Sequence, residues 1–218
     1  MAFPLKNFVD HTDRYNVHYH LCSILLLVVG TPFFNFNDHW LNLYLKLTFL
    51  LIVISSYLII RKRLPLRMIA YLTFIIISID YVFPNKVLDT MAQVGLSLLI
   101  FFSFSMVLKE AMSLRSKASN MILISITGYM IIGLIGGFVA EGIDQFFPDS
   151  YYHSTGLKLD LYNYIYYSFV TMTTLGYGDI IPISNRAQSF ALTLVLVGQL
   201  YLAIIMAMNI AKFMQKKN

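Results

Sequence analysis

Leu161-Tyr162-Asn163-Tyr164-Ile165-Tyr166-Tyr167-Ser168-Phe169-Val170-Thr171-Met172-Thr173-Thr174-Leu175-Gly176-Tyr177-Gly178-Asp179 is the stretch on which the reading of the whole chain turns. Its first part, through Thr173, is apolar and aromatic. At ~1.5 Å per residue it is too short to cross a hydrocarbon layer of ~30 Å as a helix. Asp160 is suited to cap its start. In the second part Gly176 and Gly178 can take positive φ without a Cβ clash. Alternating such residues with ordinary ones turns successive carbonyls to the same side. The carbonyls of Thr174, Leu175, Gly176 and Tyr177, with the Thr174 hydroxyl and closed by Gly178, then form stacked oxygen rings around an axis. One chain supplies a quarter of each ring, so four chains together replace a cation's hydration shell. The short helix aims the negative end of its dipole at the space below the rings. Tyr177 is expected to point away from the axis and brace against Tyr166 and Tyr167. Irregular backbone at membrane depth survives only where protein buries it or a wet cavity solvates it, so the stretch predicts a re-entrant hairpin.

The composition around this hairpin is that of a membrane protein. Of 218 residues, 58% are hydrophobic and only 12% charged, with a mean hydropathy of +0.68. Soluble domains run nearer ~25% charged. A soluble enzyme, a disordered chain and a disulfide scaffold are all excluded on these numbers, and the single Cys22 leaves no internal disulfide. Cys22 lies in an apolar run and is expected to pack. Residues 1–20 hold two acids and three histidines. They make a poor signal-peptide start, so the apolar run after them is expected to be a retained span.

Apolar runs predict spans at about 41–60, 66–83, 90–108, 121–140 and 187–211, with a shorter sixth at about 19–34 that ends near Pro32. Six spans make the charges consistent. Lys6 and Arg14 precede the first, Arg61, Lys62, Arg63 and Arg67 separate the second and third, Lys109, Arg115 and Lys117 separate the fourth and fifth, and Lys212, Lys216 and Lys217 follow the sixth. The positive-inside rule makes that side cytoplasmic, with both termini inside. The net charge of +5 is therefore an orientation signal and not a nucleic-acid signal. Asp38, Asp89, Glu141, Asp144, Asp149, Asp160 and Asp179 collect on the other side, and the segment from Glu141 to the hairpin reads as a long acidic connection.

The nonapeptide Thr171–Asp179 resembles the filter signature of the tetrameric pore-loop potassium channel family. Leu175 stands where Val or Ile is commoner, a conservative change because the carbonyl coordinates. Pro182 after the string, Gly198 twenty residues after Gly178 and Ala140-Glu141 at the end of span five extend the similarity to roughly 120–211. The resemblance implies that Glu141 braces the outer pore and that Gly198 acts as a hinge in the inner helix. It also implies potassium ions held by Thr174, Leu175, Gly176 and Tyr177. Tyr166-Tyr167 stands where a Trp pair is common. Val170 stands where some relatives carry an acid that pairs with the Asp after the filter. Asp179 therefore lacks that partner, with the Tyr166 or Tyr167 hydroxyl as the alternative, and altered filter inactivation is expected.

Four spans precede the pore, but the fourth, MAQVGLSLLIFFSFSMVLKE, holds no cation before Lys109. A voltage sensor needs several, because one charge gains only ~2.3 kcal/mol per 100 mV. A vestigial four-helix domain and shallow voltage dependence are expected. Lys46 and Asp80 either reach to the outer interface separately or form an ion pair. Gly133, Gly136 and Gly137 predict close packing of span five on span six or the pore helix. From Gly198, helical spacing places Leu202, Met206 and Asn209 or Ile210 on one face that could line the cavity and gate. His11, His18 and His20 read as a solvated arm rather than a metal or proton site, and the Arg61–Arg67 cluster reads as topology or a contact with anionic lipid.

The sequence thus predicts an all-α integral membrane protein of six transmembrane helices with a re-entrant pore helix and selectivity filter, assembling as a homotetramer. Residues 1–118 form the arm and four-helix domain and 119–218 the pore domain. The expected function is passive, potassium-selective conduction in the plasma membrane, with no enzyme activity and no cofactor beyond the permeating ion. Its partners are the lipid bilayer and a separate regulatory subunit, and not nucleic acid. The alternatives are a non-selective cation channel, a transporter subunit or a modulatory subunit.

Overall fold

The computed structural model describes residues 17–34, 38–60, 64–83, 85–112 and 118–215. The orientation markers Lys6, Arg14, Arg61, Lys62, Arg63, Arg115, Lys117, Lys216 and Lys217, and His11, lie outside the described residues. Contacts divide the chain into two compact units, Met1–Ser116 and Lys117–Asn218.

The first unit is built from α1 (Val17–Gly30), α2 (Asp38–Ile60), α3 (Leu64–Val82) and α4 (Lys86–Met112). The last three are long and apolar enough to cross a membrane; α1 is shorter. Its last turn, Leu26–Gly30, is a π-helical turn followed by a 3₁₀ turn over Thr31–Phe34. The cause is local: the Tyr44 hydroxyl from α2 donates to the Leu26 carbonyl, and the Thr31 hydroxyl donates to the Leu27 carbonyl. Hydroxyls inserted into the backbone ladder widen a helix at that point. Ile24, Leu27, Ile52, Leu96, Leu99 and Ile100 are fully buried in this unit.

Two expectations change here, and an alternative left open is decided. His20 is not part of a solvated arm: α1 turns it toward α2, where it is completely buried and its Nδ1 lies 2.8 Å from the Ser55 hydroxyl. Cys22, expected to pack, is exposed, because it sits two residues from His20 on another face of α1. Lys46 and Asp80 do not reach out separately. Lys46 Nζ donates to Asp80 Oδ2 at 2.7 Å, and Asp80 Oδ1 accepts the Asn85 amide at 3.1 Å, so the acid joins α2 to the turn between α3 and α4.

The second unit comprises α5 (Ala118–Phe146), β1 (Tyr151–His153), α6 (Leu161–Met172), β2 (Ile180–Pro182) and α7 (Asn185–Gln215). α5 and α7 are again long and apolar enough to span, which makes five such helices among the described residues. The chain is thus a largely helical membrane protein. The acidic connection is shorter than expected because α5 continues past Glu141 to Phe146. β1 and β2 pair antiparallel, Tyr151 with Pro182 and His153 with Ile180. This small ribbon clasps the segment between α6 and α7.

Candidate functional site

Asp160 caps α6: its Oδ1 accepts the Asn163 amide at 2.9 Å. α6 is fixed against α5 by close backbone approach. Cβ atoms at Gly133, Gly136 and Gly137 would lie 2.3 Å from the Phe169 ring, 2.2 Å from Ser168 Oγ and 2.7 Å from Ile165 Cα. The Ser168 hydroxyl donates to the Gly133 carbonyl at 2.7 Å, which satisfies a buried polar group at that contact. The glycines of α5 therefore face the short helix, and Gly136 also faces α7, where its Cβ would lie 2.9 Å from Leu194 Cδ1, so both expected packings occur.

At the end of α6 the Val170 carbonyl accepts the amides of Leu175 (3.0 Å) and Gly176 (3.3 Å). Val170 thus folds the start of the string back on the helix while its side chain is buried. Beyond this turn, Thr174 (φ 62°), Gly176 (φ 58°) and Gly178 (φ 79°) are left-handed. Leu175 and Tyr177 between them are not. A β-branched residue at positive φ is a rare, strained conformation, and such outliers concentrate at functional sites. Cβ atoms at Gly176 and Gly178 would meet nothing within 4 Å. These glycines are required by backbone conformation, not by crowding.

The far end of the string is held at Asp179. The Tyr166 hydroxyl donates to Asp179 Oδ2 at 2.7 Å, the Ile180 amide donates to Oδ1 at 3.1 Å, and the Ser154 amide donates to the Asp179 carbonyl at 2.8 Å. Of the two hydroxyls weighed from the sequence, Tyr166 is the one hydrogen-bonded to Asp179. Burial and the Asp179 carboxylate push the Tyr166 phenol up to about 12, so it remains a donor at physiological pH. Tyr167 turns the other way, into an edge-to-face contact with Tyr151 at 5.1 Å between ring centroids. Tyr177 is 66% exposed, beside an exposed Leu175, and lies near enough to Tyr166 to add to its electrostatic surroundings.

The end of α5 is tied down by an acid to which the sequence assigned no role. Asp144, one turn further along α5, accepts the Tyr164 hydroxyl at 2.5 Å and the Ser150 and Tyr151 amides at 2.8 and 3.3 Å. It ties the end of α5 to α6 and to β1. Glu141 is half-buried and adds a charge near Tyr164. Burial, a Tyr167 neighbour and the Asp144 charge push the Tyr151 phenol far above its ordinary range. Tyr151, Tyr164 and Tyr167 thus form a neutral aromatic core with Ala140, Ile180 and Ala187. The spacing of Asp144 three residues after Glu141 was the available signal.

On α7, Ser184 caps the helix by accepting the Ala187 amide at 3.2 Å. Gly198 is pressed against the end of α6: a Cβ there would lie 2.4 Å from Met172 Cγ and 3.0 Å from the Met172 carbonyl. α7 runs unbroken through this position. Leu202, Met206 and Ile210 are exposed on the helix, whereas Asn209 reaches the Ser125 hydroxyl of α5 at 3.4 Å. Asn209 is thereby removed from the expected cavity face. The Tyr201 hydroxyl makes a second tie to α5, at the Ser125 carbonyl (2.9 Å).

The geometry therefore brings together a short capped helix, a strained string held at both ends, and two long apolar helices. No curated protein and no solved structure matches the chain. The family model described as ion channel matches residues 124–216, which takes in all of α6, the string and α7 and most of α5. That match supports an ion channel family as the one this region resembles.

Proposed function

We propose that the chain is the subunit of a potassium-selective channel in which four copies surround one axis. The carrying observation is the alternation of left-handed Thr174, Gly176 and Gly178 with Leu175 and Tyr177. Such alternation turns consecutive carbonyls to one side, and four-fold repetition makes rings that replace the hydration shell of K⁺. Thr174, Leu175, Gly176, Tyr177 and Gly178 form the filter. Tyr166, Val170 and Asp179 hold its ends, and Leu202, Met206 and Ile210 face the cavity. The exposed Tyr177 and Leu175 are free to pack on the neighbouring copy. Conduction is passive and needs no cofactor besides the permeating ion. In this reading α1 to α4 are four spans before the pore, the termini are cytoplasmic and the site of action is the plasma membrane. The positive-inside distribution of the cations supports that orientation.

The test is ion flux into liposomes containing the purified full chain, with K⁺ and Na⁺ gradients compared. We expect K⁺ uptake to exceed Na⁺ uptake, since the carbonyl rings replace the hydration shell of K⁺. Gly176→Asp should abolish it, since the new side chain is strained at φ 58° and places a carboxylate beside the rings. Equal K⁺ and Na⁺ flux, or K⁺ flux unchanged in Gly176→Asp, overturns the reading.

A further inference from the structure

The ribbon beside the string carries a histidine that the pore does not use. His153 is the last residue of β1 and pairs with Ile180, directly after Asp179. Its Nδ1 accepts the Thr155 backbone amide at 3.2 Å and lies 2.8 Å from the Thr155 hydroxyl. A backbone amide can only donate, so this geometry requires Nδ1 to be unprotonated. The turn is closed by the Gly156 amide donating to the His153 carbonyl at 2.8 Å, with Gly156 at φ 71°. Its middle residue, Ser154, gives its amide to the Asp179 carbonyl. One continuous set of hydrogen bonds thus runs from the imidazole, through a four-residue turn, to the residue that ends the filter.

We propose that His153 is a proton-binding site at the outer mouth that couples acid to the filter. The proposal rests on reading 174–178 as the filter. Binding a proton at Nδ1 places an N–H against the Thr155 N–H. The Thr155 amide loses its acceptor, while the Thr155 hydroxyl rotates to accept from the ring, and the turn is forced out of its present form. The Ser154 amide is then no longer held against Asp179, and the outer filter loses one of its three ties. The ring is only half-buried, so protons reach it from solvent, and imidazole is the side chain whose charge ordinarily changes between pH 5 and 8. The other ionisable groups of the surrounding elements are Tyr151 and Tyr152 on β1 with Asp149 before it, Asp179 before β2, Lys158 and Asp160 after the turn, Glu141 and Asp144 on α5, Arg186 on α7, and Tyr162, Tyr164, Tyr166 and Tyr167 of α6. The test leaves all of these in place.

Full-length protein in liposomes is assayed for K⁺ flux with the outer solution at pH 7.5 and then 5.5, the other side fixed. Wild type is expected to lose flux by at least about threefold at pH 5.5, the scale of one hydrogen bond lost per subunit. His153→Gln keeps an acceptor for the Thr155 amide and does not titrate in this range. It should conduct at pH 7.5 and stay within about 1.3-fold at pH 5.5, well inside that hydrogen-bond scale. A second readout does not need conduction: hydrogen exchange of the Thr155 and Ser154 amides should accelerate at pH 5.5 relative to His153→Gln at the same pH. Unchanged wild-type flux, a rise in flux, or an equal loss in His153→Gln overturns the proposal, as does equal exchange in the two proteins. Absence of K⁺ flux at pH 7.5 in both proteins instead overturns the channel reading, with the exchange comparison still deciding the proton site.

Discussion

At the scale of single residues, the string is a strained backbone held at its two ends, and the holding groups differ in kind. The Val170 end is held mostly by backbone: the Val170 carbonyl accepts two amides and the Thr171 carbonyl a third, with the Thr173 hydroxyl adding a 3.3 Å bond to the Val170 carbonyl. The Asp179 end depends on side chains. Tyr166 gives it a charge-assisted hydrogen bond of 2.7 Å, a class worth ~1.5–3 kcal/mol when buried and less at a half-buried site such as this. Tyr166→Phe deletes that bond and little else. If the chain conducts as proposed, the variant should still conduct but enter a non-conducting state about fivefold faster, the conversion of roughly 1 kcal/mol. Tyr152→Phe, altered on an exposed side chain of β1, should leave the rate unchanged. Current decay during long depolarised or fixed-voltage recordings measures both. The string was legible in the sequence because its chemistry is written in nine consecutive residues. Asp144 was not, since the bonds it makes reach six, seven and twenty residues ahead and depend on α5 extending past its apolar part.

At the scale of elements, the position of α6 is set by what α5 lacks. Three glycines on one stripe of α5 let the two helices meet with almost no side chain between them. They differ in what an added methyl would strike. At Gly133 it meets the tip of the Phe169 ring and at Gly136 the Ser168 hydroxyl, both movable, but at Gly137 it meets the Ile165 Cα at 2.7 Å and the Ile165 backbone nitrogen at 3.0 Å. Backbone cannot step aside without displacing α6. Gly137→Ala should therefore destabilise the folded protein by ~1–3 kcal/mol, the usual cost of overpacking. Gly142→Ala, on the same helix with nothing within 4 Å, should be neutral or slightly stabilising. Thermal unfolding of the two variants in detergent gives the comparison, and equal melting temperatures would refute it. The glycine stripe was visible in the sequence, but its partner was not, because a stripe names a contact face without naming what touches it. The β1–β2 ribbon escaped the sequence reading for a related reason. Three residues carry too little alternation to mark a strand, and pairing partners about thirty residues apart leave no local signal.

At the scale of the whole molecule, the distribution of charge decides how the first unit responds to a membrane potential. Each charge that crosses the full field gains only ~2.3 kcal/mol per 100 mV, so steep gating requires many mobile charges in each subunit. The described spans of the first unit have few. From Thr90 to Glu110, α4 offers only Lys109 in its last turn before that acid. α2 offers Lys46, and Lys46 is closed on Asp80 at 2.7 Å. A paired Lys and Asp moving together carry no net charge through the field. Asp80 also holds the Asn85 amide, so separating the pair would undo the turn from α3 to α4. Of the charges inside these spans, Lys46 and Asp80 thus cancel, which leaves Arg67 and Lys109 near the ends of α3 and α4. If the chain conducts as proposed, its conductance should change by less than about sevenfold for every 50 mV, the slope of roughly one effective charge per assembled channel. Lys46→Met leaves Asp80 as an unpaired buried acid, which should reduce folded yield rather than steepen the voltage dependence. Macroscopic currents between −100 and +100 mV, with a symmetric K⁺ solution, provide the measurement. A slope requiring eight or more charges would show that this unit moves charge that its helices, as folded, do not contain.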